Sequence, residues 1–436
     1  MKRIMHCGWP LRLAVALGCA SALPAIGQEP ISASGTNALT LDAAIQLALE
    51  HNPELRASGG RVTAAAGRAY QAKQWSNPEL ELTADDWPVS KGRGFADAKQ
   101  TIGVAQTLPF PGKKSLDSKI GGAGLRRSEA ELALRRVELV RDVKAAFAAA
   151  LASERLVEVS GELVKVAESS SATARKRVEA GATAYQEQLR AEIQLEQART
   201  ELTGFERELA AARQSLATLV GQPELKETAV SGALLDLVNP GLLEPMPQTW
   251  LTNHPSTMAA RANLEQAGWE ERRARLEPYP DLKVGLAGGR IGETGQSIVQ
   301  LGFSLPLPII DRTKGRKQEA RANVTVAEAE LAAVEQRLLG QWGKASQRYR
   351  TALAQVGNYR DRILPKADQA LRLVQTGFEQ GKFGFIDLLD TQRTTAEARL
   401  AYQQKLLELN IAQAELEALL ALTPNQPKST TNPTAK

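Results

Sequence analysis

Chemistry in this 436-residue sequence could come from few places. One acidic pair stands out, Asp387 and Asp390, in the stretch Gly381-Lys382-Phe383-Gly384-Phe385-Ile386-Asp387-Leu388-Leu389-Asp390. Acidic residues in the first turns after a glycine turn are stabilised by the positive end of a helix, and a solvated helix face would carry them as well. Beyond the first residues only two histidines remain, His51 and His254, each close to a proline. A metal site needs three or four ligands, so isolated histidines read as structural. Both cysteines, Cys7 and Cys19, fall near the N-terminus. No glycine-rich loop ends in Lys-Ser/Thr, and no Gly-x-Ser-x-Gly elbow occurs. Gly288-Gly289 lacks the rest of a dinucleotide fingerprint. No set of residue types supplies a nucleophile, a base and an oxyanion donor together. The expectation is a protein that is not an enzyme, with no catalytic residue, no cofactor and no metal ligand set.

The elements around these residues follow from composition and pattern. Aromatics make up 5% of the chain and the formal net charge is +5. Ala, Leu, Glu, Gln and Arg dominate, which suits long helices. No basic tract with interleaved aromatics is present, which argues against nucleic acid as a partner. Lys2, Arg3 and Arg12 precede an apolar run from Leu13 to Leu23, followed by Ala25 and Gly27. That pattern predicts a signal peptide over 1–27, cleaved before Gln28. A second reading places cleavage at Leu17-Gly18-Cys19, with Cys19 lipidated. The apolar run is shorter than the roughly 20 residues a membrane helix needs, and no later stretch is longer. A membrane crossing must then use strands.

The chain is written twice, at a period of about 200 residues. His51-Asn52-Pro53 matches Asn253-His254-Pro255, Asn77 onward matches Tyr279 onward, Thr107-Leu108-Pro109 matches Ser304-Leu305-Pro306, and Val178 onward matches Phe378 onward. The first repeat covers 28–223, a linker 224–246, the second repeat 247–423, and a disordered tail 424–436. Each half predicts a first helix interrupted by a proline, two strands, a proline knot and a long helical hairpin. The strands are expected at about 78–87, 96–108, 280–289 and 296–306. The hairpins are expected over 113–221 and 312–422, with tips near 181 and 381.

Leu80, Leu82 and Ala84 alternate with Glu81, Thr83 and Asp85, and the other three segments alternate likewise. One apolar face over about ten residues suits a lipid-facing barrel strand, and Trp75, Trp87, Phe110 and Tyr279 flank the strands where interfacial aromatics sit. Four strands cannot close a barrel, and an open edge in lipid leaves backbone groups unpaired. The membrane reading therefore requires several subunits. Leu195, Leu202, Leu209 and Leu216 recur every seven residues beside Ala198, Phe205, Ala212 and Leu219, a coiled-coil seam; Ala398, Tyr402, Leu409, Ala412, Leu416 and Leu419 form a weaker counterpart. Pro365 must kink or break the second descending helix. Pro109, Pro111, Pro306 and Pro308 end strands, because proline lacks a ladder donor.

Helix, two strands and a long helical hairpin, duplicated behind a signal peptide, resemble the TolC family of outer-membrane efflux proteins from about Leu39 to Leu422. The resemblance implies a membrane α+β fold: a homotrimer sharing a twelve-stranded β-barrel in outer-membrane lipid, continued by a periplasmic α-helical barrel. The Gly381–Asp390 stretch resembles the family's periplasmic tip, which implies a carboxylate gate at Asp387 and Asp390. The first half has Glu187 and Arg190 at the matching positions. It also implies that Val178, Gly181, Tyr185, Phe378, Gly381 and Phe385 meet a periplasmic adaptor (membrane fusion protein) that links to an inner-membrane RND pump. Ser304-Leu305-Pro306-Leu307-Pro308-Ile309-Ile310-Asp311-Arg312 is similar to the heavy-metal branch, which implies divalent metal cations as cargo. The same duct for drugs or type I protein secretion is the alternative. A soluble periplasmic coiled-coil scaffold is the rival from outside transport.

Overall fold

The computed structural model describes residues 38–86, 94–234 and 248–420. The expected signal peptide, Trp87, the C-terminal half of the linker and the tail lie outside them.

Each half opens on a helix pair split by proline. In the first, α1 (Leu41–His51) and α2 (Pro53–Lys73) meet at Asn52. In the second, α5 (Gln248–Asn253) and α6 (Pro255–Arg275) meet at His254. Pro53 and Pro255 stand at the first helical position, where a missing N–H costs nothing. The prolines therefore restart the helices instead of only bending them.

Four strands follow, β1 (Glu79–Asp85), β2 (Lys99–Leu108), β3 (Leu282–Ile291) and β4 (Ser297–Ser304). They form one antiparallel sheet in the order β1-β2-β3-β4. β2 starts later than expected because Phe95–Asp97 forms a 3₁₀ turn, closed by Asp97 accepting the Gly94 N–H at 3.0 Å. The register sets Leu80 opposite Val104, Val104 opposite Leu286 and Leu286 opposite Leu301. Glu81, Gly103, Ala287 and Gln300 form a row on the other face. The apolar face is bare: Leu82 is 72% exposed and Val299 80%. Water would not tolerate so large a patch without a partner. Among the described residues, β1 and β4 each keep one edge unpaired.

The long helices are α3 (Lys113–Glu179), α4 (Tyr185–Val220), α7 (Lys314–Asn358), α8 (Leu364–Glu379) and α9 (Phe385–Leu419). At about 1.5 Å per residue, the 67 residues of α3 reach roughly 100 Å. α4 packs on α3 through the heptad seam, whose Leu195, Leu202 and Leu209 are half-buried while their neighbours face solvent. Pro365 does not end the second descending helix. A π-helical turn at Tyr359–Ile363 joins α7 to α8. Widening the turn there accommodates the proline ring and the missing donor.

The core is split into islands along the helices. Ala44, Leu139, Val143, Phe147, Leu216 and Val220 join α1, α3 and α4. Tyr349, Val356, Leu409 and Leu416 join α7 and α9. A small cluster at the hairpin tips is the third.

Candidate functional site

Three levels matter for a conduit: where strand turns to helix, where the helix pairs meet, and where the hairpins end. At the first, Pro109 and Pro111 lead to Gly112, whose φ of +93° favours glycine and which precedes α3. Phe110 stacks on Tyr279 with centroids 4.8 Å apart. Asp281 Oδ1 accepts the Phe110 N–H and the Lys113 ammonium, both at 2.8 Å. Lys113 is buried at 5% exposure. Residues from the two halves are thus fastened at the base of the sheet. On the second side, Pro306 and Pro308 lead to Asp311, which accepts the Thr313 N–H at 2.7 Å before α7 begins. Here Leu307, Ile309 and Ile310 are exposed.

At the second level, Asn52 Oδ1 accepts the N–H groups of Glu54 and Leu55, both at 3.0 Å, and its amide donates to the Leu219 carbonyl at 2.9 Å. His254 takes the same place in the second half. Its Nδ1 accepts the Ser256 N–H at 3.2 Å, while Trp250 Nε1 donates to the Leu419 carbonyl at 2.7 Å. His254 is 4% exposed, and burial holds its pKa below the usual histidine value. The neutral ring is the form that can cap a helix N-terminus.

At the tips, Gly181 and Gly381 adopt φ of +70° and +71°. The Gly181 and Ala182 N–H groups reach the carbonyls of Val178 and Arg177, and those of Gly381 and Lys382 reach Phe378 and Gly377. Both helix ends are closed by the same left-handed motif. Tyr185 is 61% exposed, and Gly181 and Gly381 are open to solvent. Val178 is half-buried. Phe385 is buried with Leu388, Leu389, Ala174 and Ala191, and Phe378 packs against it at 5.8 Å. The Arg177 guanidinium lies over the Phe378 ring at 5.0 Å. Asp387 turns back to accept the Gly384 N–H at 2.9 Å. Asp390 pairs with Arg393 at 3.0 Å, on an exposed helix face. Among the described residues, no group of three His, Cys, Asp or Glu is placed to hold a metal ion.

The sequence pattern of the family described as "Outer membrane efflux protein" matches residues 44–222 and again 246–422. The chain belongs to this family. The double match is the internal repeat read from the sequence. The cobalt-zinc-cadmium resistance protein CzcC of Cupriavidus metallidurans is 30% identical over 84% of this chain and 85% of its own. The nickel-cobalt-cadmium resistance protein NccC of Alcaligenes xylosoxydans xylosoxydans is 25% identical over 74% of this chain and 72% of its own. Among solved structures, the outer membrane protein VceC from Vibrio cholerae superposes with a TM-score of 0.75 over 87% of this chain and 96% of its own, at 20% identity. As an outer membrane efflux protein, the chain is an exit channel and not an enzyme. Its strands lie in the outer membrane and its helices extend into the periplasm. The bare apolar face of the sheet is its lipid face.

Sequence reading did not find the Lys113–Asp281 fastening, the Arg177–Phe378 contact or the capping role of His254. The last was legible in principle, since Asn253-His254-Pro255 stands where His51-Asn52-Pro53 carries a cap. The Lys113–Asp281 contact joins residues far apart in sequence, and no local pattern marks it.

Proposed function

We propose that three copies of this chain form one exit duct for divalent heavy-metal cations, working with a periplasmic adaptor and an inner-membrane RND pump. The observation that carries the cargo is the 30% identity to the cobalt-zinc-cadmium resistance protein over most of both chains. The cargo passes without chemistry, and energy is spent at the pump. In this reading Val178, Gly181, Tyr185 and Gly381 meet the adaptor directly. Phe378 and Phe385 shape the tip from beneath, since their rings lie in the apolar cluster there. Asp387 and Asp390 are the gate: three copies of each would ring the narrow end of the duct, favour cations and hold it closed. The strand-to-helix prolines Pro109, Pro111, Pro306 and Pro308 fix where the membrane barrel ends.

The test is a deletion strain scored on cobalt, zinc, cadmium and nickel salts and on a panel of hydrophobic drugs. Metal sensitivity without drug sensitivity, reversed by the intact gene, is expected. Drug sensitivity with normal metal tolerance would assign the same duct to a different cargo.

A further inference from the structure

The two strand-to-helix transitions are copies of one motif, and they differ in one place. In the first half, Pro109-Phe110-Pro111-Gly112 carries the chain from the end of β2 at Leu108 to the start of α3 at Lys113. In the second, Pro306-Leu307-Pro308 is followed by Ile309-Ile310-Asp311-Arg312 before Thr313 and the start of α7 at Lys314. Gly112 and Thr313 both adopt positive φ directly ahead of a lysine, which marks them as equivalent positions. Ile309 to Arg312 therefore have no counterpart in the first half, which makes the same transition without them.

The insertion has a defined backbone. The Ile309 N–H donates to the Leu307 carbonyl at 2.9 Å, and Asp311 Oδ1 accepts the Thr313 N–H at 2.7 Å. The apolar side chains stay in the open. Ile310 is 99% exposed, and Leu305, Leu307 and Ile309 are exposed with it. They extend the exposed apolar series of Val299, Leu301 and Phe303 on the lipid face of β4. In the first half the one apolar residue between the prolines, Phe110, is covered by Tyr279 instead. A contiguous apolar patch of this kind calls for a partner.

Charge and position say which partner. Arg312 and Lys314 come directly after the apolar residues; both are exposed, and neither forms an ion pair among the described residues. Asp311, the one acid in the insertion, is turned back to the Thr313 N–H. β4 leads from the membrane to the periplasmic helices, so the insertion lies at the periplasmic leaflet. Trp75 and Tyr279, both exposed, stand at the same end of the sheet, where interfacial aromatics sit. Apolar side chains with basic residues just behind them match the boundary between acyl chains and anionic headgroups. A second copy would cover the patch less well. By the repeat, Leu307 would meet the residue in Tyr279's place, Asn77, which has no apolar side chain to offer.

We infer that this insertion is a lipid anchor: Leu307, Ile309 and Ile310 enter the periplasmic leaflet, and Arg312 and Lys314 bind the phosphate of an anionic phospholipid. The inference rests on the outer-membrane placement of the strands and not on the cargo.

The test is quenching of a bimane label on Ile310→Cys, in the full chain reconstituted in vesicles of phosphatidylethanolamine and phosphatidylglycerol. The chain's own cysteines, Cys7 and Cys19, fall in the expected signal peptide, and labelling of the unaltered chain gives the background. Lipid carrying a nitroxide near its headgroup should quench the label, and aqueous iodide should not. Quenching by iodide alone would mean that the loop stands in water, and quenching by neither that protein covers it; either result overturns the anchor. Val299→Cys, on the lipid face of β4, reports separately whether the strands lie in lipid at all. The headgroup contact has its own readout, the phosphatidylglycerol retained by the purified chain in native mass spectrometry. Arg312→Gln with Lys314→Gln should lower retention about fivefold for each basic residue removed, the worth of one Lys or Arg at an anionic surface, and leave retained phosphatidylethanolamine unchanged. Equal phosphatidylglycerol retention by the variant would remove the headgroup contact.

Discussion

At the residue scale, His254 and the tip carboxylates show how position assigns roles. His254 caps α6 only as a neutral ring. Replacing it with Ala should cost about 1 kcal/mol, the usual worth of a cap, whereas His254→Asn should be close to neutral because Asn52 does the same work in the first half. Thermal melting at neutral pH distinguishes the two. The pH dependence follows from burial, which lowers the folded-state pKa. The stability from neutral His254 is present above the unfolded pKa of about 6.5 and is lost as pH falls through that value toward the folded pKa. His254→Asn should flatten that part of the melting curve against pH. For the gate, Asp387 also closes the first turn of α9. Asp387→Asn keeps an oxygen for the Gly384 N–H and removes the charge, so it separates capping from gating. With Asp390→Asn it should raise single-channel conductance and weaken block by multivalent cations. Unchanged conductance would leave Asp387 as a cap and Asp390 as half of a surface pair with Arg393.

At the element scale, stability depends on where a helix is packed. Leu409 is fully buried between α7 and α9, while Leu202 is half-buried in the hairpin seam. Leu409→Ala should cost about 2–5 kcal/mol, as for core truncations, and Leu202→Ala about 1 kcal/mol in a partly exposed seam. Chemical denaturation in detergent would rank them; equal effects would mean the seam is as dry as the core. At the base of the sheet, Asp281→Ala leaves the buried Lys113 ammonium without its acceptor. A loss of about 1–3 kcal/mol is expected for that, read as a lower unfolding midpoint. The seam was legible in the sequence because heptads are a local signal. The π-helical turn before Pro365 was not: proline declares that a regular turn must fail, while the neighbouring packing selects between a break and a widened turn.

At the scale of the whole molecule, the sheet has one face for lipid and one for the lumen. Leu82→Arg puts a charge on the lipid face, where about 2–4 kcal/mol is expected near the bilayer midplane. Thr83→Arg, one residue on, points to the polar side. The first variant should be depleted from the outer-membrane fraction and the second retained. Equal depletion would mean that the two faces are not separated by lipid.

The sequence by itself determined the repeat, the alternation of every strand and the glycine turns at Gly181 and Gly381. Each is a periodicity or a backbone requirement, carried by residues close together along the chain. Tertiary structure decided what distance in sequence hides. It showed that Asp281 holds Lys113 and Phe110, that Asp387 turns inward to its own helix end, and that Phe385 is buried and not displayed. Those outcomes depend on which helices become neighbours, and that is set by packing between halves some 200 residues apart, which no local pattern records.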